Sequence, residues 1–192
     1  HVLHAQLRHF QSALEAALFP DNVPPAVYHA LIEAVHQALP MFHDYIALRG
    51  RRLKIDDMNM WDMHTPIVPE VELEVGWETC REWIVGTLKP LGAEYMKGVE
   101  AAFGERWFDI RENKGKRSGA YSTGAYGQKP FMLLNYHGTL DDVFTVAHEL
   151  GHSMHTWMSH KTQPYRYSEY PIFLAEIAST TNEALLLHHL LE

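Results

Sequence analysis

The run from Thr139 to Met158 restricts this chain more than any other stretch. Thr139, with Asp142 three residues later, has the form of a helix-opening capping box. Behind it Val143, Val146, Ala147, Leu150, Met154 and Met158 recur at three- and four-residue steps, the period of an amphipathic helix. Inside that helix stands His148-Glu149-Leu150-Gly151-His152. Residues four apart share one helical face, so the two imidazoles can converge on a single ion. Glu149 points about a quarter-turn away. That offset suits a carboxylate that reaches a metal-activated water without ligating the metal, first as general base and then as proton donor.

A bare match of this kind would arise in roughly one shuffled chain of this composition in twelve, so context has to carry the reading. A catalytic zinc site of two His and one Glu needs a third donor, commonly from another element. A last helix, starting at Ser168 or at Tyr170-Pro171, supplies Glu176. His155, one turn beyond His152, is a weaker candidate for the same place. The elongated metzincin motif would need Gly at 155 and His at 158, where this chain has His155 and Met158, and is excluded. Gly151 costs about 1 kcal/mol in a helix interior relative to alanine, which close approach of another element would explain. Asp141 and Asp142 fall in the first helical turn, where the helix dipole favours carboxylates, and are read as terminus residues rather than partners of the imidazoles.

Elsewhere the periodicity predicts helices over Val2 to Phe19, Pro25 to Leu39, Met41 to Leu53, Trp77 to Leu88 and Gly92 to Phe103. Asp56 to Glu74 reads as loop, with Pro66 and Pro69 breaking any regular element. Trp107 to Arg111 and Pro130 to Tyr136 read as short strands, with a glycine-rich loop between them. The expected fold class is therefore mainly α with a small antiparallel β-sheet. It forms one unit over 1–192, with a helical part at 1–55 and the metal-binding core at 56–192.

With 46% hydrophobic residues in 192, the chain has ample material for a core. A net charge of -8 argues against a phosphate-backbone partner, so no nucleic acid is expected. No apolar stretch is long enough to span a bilayer, so no membrane is expected either. Cys80 is the one cysteine, which rules out an intrachain disulfide and makes the reducing cytoplasm the expected compartment. The chain opens on His1 rather than Met and stops in an apolar helical pattern without a capping glycine, and is expected to be a piece of something longer.

His148 to His155 (HELGHSMH), Phe173 to Glu183 (FLAEIASTTNE), Glu112 to Tyr121 (ENKGKRSGAY) and Met60 to Glu70 (MWDMHTPIVPE) together resemble oligoendopeptidase F, of the zinc oligopeptidase family that includes thimet oligopeptidase. Pro90 to Tyr95 and Pro130 to Met158 extend the similarity over most of the chain after about residue 55. The resemblance implies that His148, His152 and Glu176 hold one zinc ion per chain and that Glu149 is the catalytic carboxylate. It favours Glu176 over His155. It also implies a zincin-like core in a helical oligopeptidase whose deep channel admits short peptides and cleaves them internally. Family members are far longer, and the tyrosine and histidine that they direct at the transition-state oxyanion lie beyond this sequence. The alternative expectation is therefore a zinc-binding but catalytically incomplete fragment. A structural zinc module, with four protein donors, is the weaker third reading.

Three further expectations concern the surroundings. The strand Pro130 to Tyr136 could offer a free edge to an extended peptide. Gly119 to Gly127 reads as a loop whose tyrosines could meet substrate, and Lys114, Lys116 and Arg117 as a solvated turn. Trp61, Trp77, Trp83 and Trp107 read as packing residues, and Cys80 as an inert buried thiol.

Overall fold

Side-chain capping sets where two of the α-helices begin, after Ser12 and after Thr139. A computed structural model describes residues 1–68 and 73–192. Pro69 and Glu70, part of the expected loop and of the Met60 to Glu70 motif, lie outside the described residues. The chain divides into two compact units, His1–Val71 and Glu72–Glu192, where the sequence reading placed a lesser division after residue 55.

The first unit holds α1 (Val2–Leu7), α2 (Ala13–Leu18) and α3 (Pro25–Leu53). The single helix expected over Val2 to Phe19 is broken. Ser12 caps α2 by accepting from the Glu15 amide (3.0 Å), the Glu15 carboxylate reaches back to the Gln11 amide (2.7 Å), and His9 turns to a positive φ of 63°. The signal was present in Ser12-x-x-Glu15, which outweighs the apolar period. In contrast, α3 runs unbroken through Pro40, where two helices were expected. Pro40 leaves the His36 carbonyl without its helical donor, and both residues are exposed, so water can serve instead. A short 3-10 turn, Met60–His64, follows, closed by an Asn59/Asp62 capping box. Trp61 on that turn is 72% exposed, contrary to its expected packing role.

The second unit holds α4 (Trp77–Leu88), α5 (Ala93–Gly104), β1 (Phe108–Asp109), β2 (Tyr121–Thr123), β3 (Phe131–Leu133), α6 (Leu140–Thr162) and α7 (Ile172–Leu191). Its core includes Ile84 of α4, Val99 of α5, Trp107 just ahead of β1, Met132 of β3, Leu150 of α6 and Leu186 of α7. Cys80 is fully buried, and burial pushes its thiol up to about 12. The mainly α class holds, but the sheet is mixed: the strand order is β1-β3-β2, with β1 parallel and β2 antiparallel to β3. A parallel pair needs a crossover rather than a hairpin, and the glycine-rich segment containing β2 provides the path. Two expectations change in consequence. The centre of the sheet is β3, so it has no free edge; β2 has one, and it is cut from what was read as loop. Among the described residues no helix is long and apolar enough to cross a membrane.

Lys116 is not solvated as expected. Its ammonium donates to the carbonyls of Asp109 (3.0 Å) and Arg111 (2.7 Å), bracing the chain where β1 ends.

The capping box of α6 is complete. The Asp142 carboxylate accepts from the Thr139 amide (2.9 Å), the Thr139 hydroxyl (2.8 Å) and the His137 amide (3.1 Å), while Thr139 Oγ1 accepts from the Asp142 amide (3.1 Å). Burial alone would raise the Asp142 pKa, but these hydrogen bonds prevail and lower it. A depressed carboxyl stabilises the fold above its unfolded pKa of about 3.9 and loses that contribution as pH falls through the folded value. Thr139→Ala should cost about 1 kcal/mol, read from the urea midpoint. For Asp142→Asn the loss should shrink as pH drops below about 4. A loss in Asp142→Asn that is independent of pH would show that the carboxylate's charge contributes nothing.

Candidate metal centre

The site is built on α6 and α7. His148 and His152 stand one turn apart on α6, and Glu176 comes from the first turns of α7. Their donor atoms converge. His148 Nε2 and His152 Nε2 are 3.1 Å apart, and Glu176 Oε2 lies 3.4 Å from the first and 3.5 Å from the second. Tetrahedral ligands about 2.0–2.1 Å from a zinc ion stand roughly 3.3 Å from one another, so the three atoms already fit such an ion. Among the described residues they form the one group of three or more His, Cys, Asp or Glu able to share a metal, and no fourth donor joins it. Glu176 has a side chain 49% exposed, which leaves an approach from solvent.

Burial, and then the closeness of the His148 ring, lowers the His152 pKa and so favours its neutral form, the state in which an imidazole can ligate. The Glu176 carboxylate, and then a backbone hydrogen bond at Ala175, oppose the shift. Glu149 is buried, and its Oε2 has no hydrogen-bond partner. Burial raises its pKa, the His148 ring opposes that shift, and the Glu176 carboxylate adds to it. A desolvated carboxyl with an unmatched oxygen beside a donor cluster is a candidate proton-transfer group. A cleft of about 310 Å³ opens alongside, lined by Ala120, Asp141, Thr145, His148, Glu149 and Glu183 among others.

Gly151 is where the two helices meet. A Cβ there would lie 2.6 Å from Ser179 Cα and 2.8 Å from the Ala178 carbonyl oxygen. The buried Asn182 ties the pair further, donating to the Ala147 carbonyl (3.1 Å) and accepting from the Tyr95 hydroxyl of α5 (3.1 Å). On the other side of α6, Ser153 and Ser122 of β2 share a hydrogen bond (2.7 Å).

His155 is turned away from the cluster. Its ring stacks on Tyr170 (centroids 3.8 Å apart), and Tyr170 in turn bonds Thr156 (2.6 Å). Asp142 serves the helix terminus as expected. Sequence reading gave no role to two contacts that the structure shows. Glu183 Oε1 is hydrogen-bonded to His148 Nδ1, and the Ser179 hydroxyl donates to Glu176 Oε2 (2.8 Å). Both residues stood within Phe173 to Glu183. Their spacing from Glu176, three and seven positions, places all three on one helical face and was the available signal.

A helical fold with two imidazoles and a carboxylate converging from consecutive helices defines a protein with a candidate His₂Glu metal site, the type used by mononuclear metal-dependent hydrolases. The chain belongs to Peptidase family M3, which it matches over residues 1–192. It is 50% identical over 192 residues to "Oligoendopeptidase F, chromosomal" of Lactococcus lactis subsp. cremoris, covering 100% of this chain and 32% of that protein. It is 44% identical over 188 residues to "Oligopeptidase PepF" of Bacillus subtilis (strain 168), covering 98% and 28%. The crystal structure of oligoendopeptidase-F from Enterococcus faecium superposes with a TM-score of 0.62 at 31% identity, covering 100% of this chain and 26% of that one. A Chlamydophila abortus crystal structure superposes with a TM-score of 0.84 at 42% identity, covering 100% and 32%. The chain thus spans about a third of the length of the relatives it matches.

Proposed function

We propose that this chain carries the zinc-dependent centre of an endopeptidase that hydrolyses internal bonds of short oligopeptides, acting in the cytoplasm. The observation that carries the reading is the triangle of His148 Nε2, His152 Nε2 and Glu176 Oε2, with sides of 3.1, 3.4 and 3.5 Å, beside the buried Glu149. Family membership and the oligopeptidase names of the relatives support the substrate class. His148, His152 and Glu176 would hold one zinc ion, which when bound acidifies water and polarises the scissile carbonyl. Glu149 takes a proton from the attacking water and returns it to the leaving amine. Its raised pKa makes the carboxylate a stronger base for the first transfer. The absence of a fourth donor among the described residues and the half-exposed Glu176 speak against a purely structural zinc.

Coverage of only 32% and 28% of the two bacterial relatives favours a second reading, in which the chain holds zinc but lacks oxyanion-stabilising groups supplied from elsewhere in a longer protein. Each such donor is commonly worth about 10²- to 10³-fold in rate. A pool of internally quenched peptides, incubated with the zinc-loaded 192-residue chain with and without a chelator, separates the two. Chelator-sensitive turnover is the result expected of a self-sufficient core. Bound zinc without turnover would establish the second reading, and failure to bind zinc would sink both.

A further inference from the structure

We propose that Ser179 and Glu183 are positioning residues: one face of α7 supplies both the third donor, Glu176, and the hydrogen bonds that aim two of the three donors. The inference rests on the zinc reading above and deepens it. Residues 176, 179 and 183 follow the i, i+3, i+7 spacing of a single helical stripe. That stripe is pinned against α6 where Gly151 meets Ser179 and where Asn182 holds the Ala147 carbonyl.

The two bonds do different things. Glu183 accepts from His148 Nδ1, and a ring whose proton sits on Nδ1 leaves Nε2 as a lone pair. That is the nitrogen facing His152 Nε2 and Glu176 Oε2. Without Glu183 the ring is free to take either tautomer or to rotate about its χ angles. Ser179 is fully buried, and its hydroxyl donates to Glu176 Oε2, the same oxygen that faces both imidazoles. A helical serine often bonds merely to a carbonyl three or four residues back. The neighbouring Thr180 does so, to the Glu176 carbonyl (2.5 Å). Ser179 reaches that same carbonyl at 3.1 Å, but its shorter contact, 2.8 Å, is to the carboxylate. Partners of this kind typically contribute 10- to 100-fold in metal affinity.

Two measurements on the 192-residue chain test the proposal, neither of them activity. Zinc affinity is measured by competition with a chromogenic chelator for the unaltered chain, Ser179→Ala and Glu183→Gln, with far-ultraviolet circular dichroism as a check on helix content. Both variants should bind about 10- to 100-fold more weakly at unchanged helicity. The His148 tautomer is read in the metal-free chain from two-bond nitrogen–proton correlations. Nδ1–H should dominate in the unaltered chain and in Ser179→Ala, and should give way to a mixture in Glu183→Ala. Unchanged affinity in both variants, with the tautomer indifferent to Glu183, would overturn the proposal. If the unaltered chain binds no zinc, the functional reading fails. The tautomer then decides alone: dependence on Glu183 supports its positioning role, and independence overturns it.

Discussion

Glu149→Gln should lower peptide hydrolysis by about 10²- to 10⁴-fold while leaving zinc content unchanged, as measured by initial rates against metal analysis on the same sample. Glutamine has nearly the same shape and so keeps the packing around a buried position, but it cannot accept the proton that the carboxylate takes from water. The same substitution should leave thermal stability unchanged or raise it. A carboxyl whose folded pKa lies above its unfolded one destabilises the fold at neutral pH, since the charge must be held in a desolvated place. Glu149 also has an oxygen that no donor satisfies. Activity falling while stability holds is the signature of a residue kept for chemistry rather than for folding. Turnover within a few-fold of the unaltered chain would remove Glu149 from the mechanism, and lost zinc would make it a metal-site residue instead.

Gly151→Ala is the second large effect. On an isolated helix alanine would gain about 1 kcal/mol over glycine. Here the added carbon would fall 2.6 Å from Ser179 Cα and 2.8 Å from the Ala178 carbonyl oxygen, both α7 backbone atoms with no rotamer to escape into. The helices must separate, and overpacking of this kind typically costs about 1–3 kcal/mol. Because Glu176 and Glu183 ride on the same α7, their displacement moves a donor and an orienting group together, so zinc affinity should fall alongside the urea midpoint. A variant as stable as the original, or more so, with undiminished zinc affinity would show that the interface relaxes without disturbing the site.

The legible part of this protein was what lies within one helix. The period through Val143, Val146, Leu150 and Met154 and the Thr139–Asp142 box located α6 and both imidazoles. Gly151 signals a close approach without identifying the neighbour, because glycine in a helix interior needs a reason. What depended on register between elements was not legible. Glu183 reaches His148 only once α7 is set against α6 at a particular height, which no local pattern encodes, whereas Ser179 bonds Glu176 within α7 and was signalled by its spacing alone. The free edge was assigned to Pro130 to Tyr136, whereas pairing on both sides makes β3 central and leaves β2 at the margin. Tyr121 to Thr123 sits among glycines, and three residues are too few for an alternation to register. Continuous apolar spacing hid the stop at His9, while Pro40 suggested a break that solvent exposure makes unnecessary.

Cys80 has a practical consequence. A thiol held in the protonated form up to about pH 12, with no surface exposed, offers almost no thiolate to alkylating reagents. The chain is therefore a silent background for site-directed labelling. A cysteine introduced at an exposed position of α7, such as Thr180, and a second on the outer face of α6 would be the two groups that react, and a spin-label pair there would report the α6–α7 separation as metal is added or withdrawn.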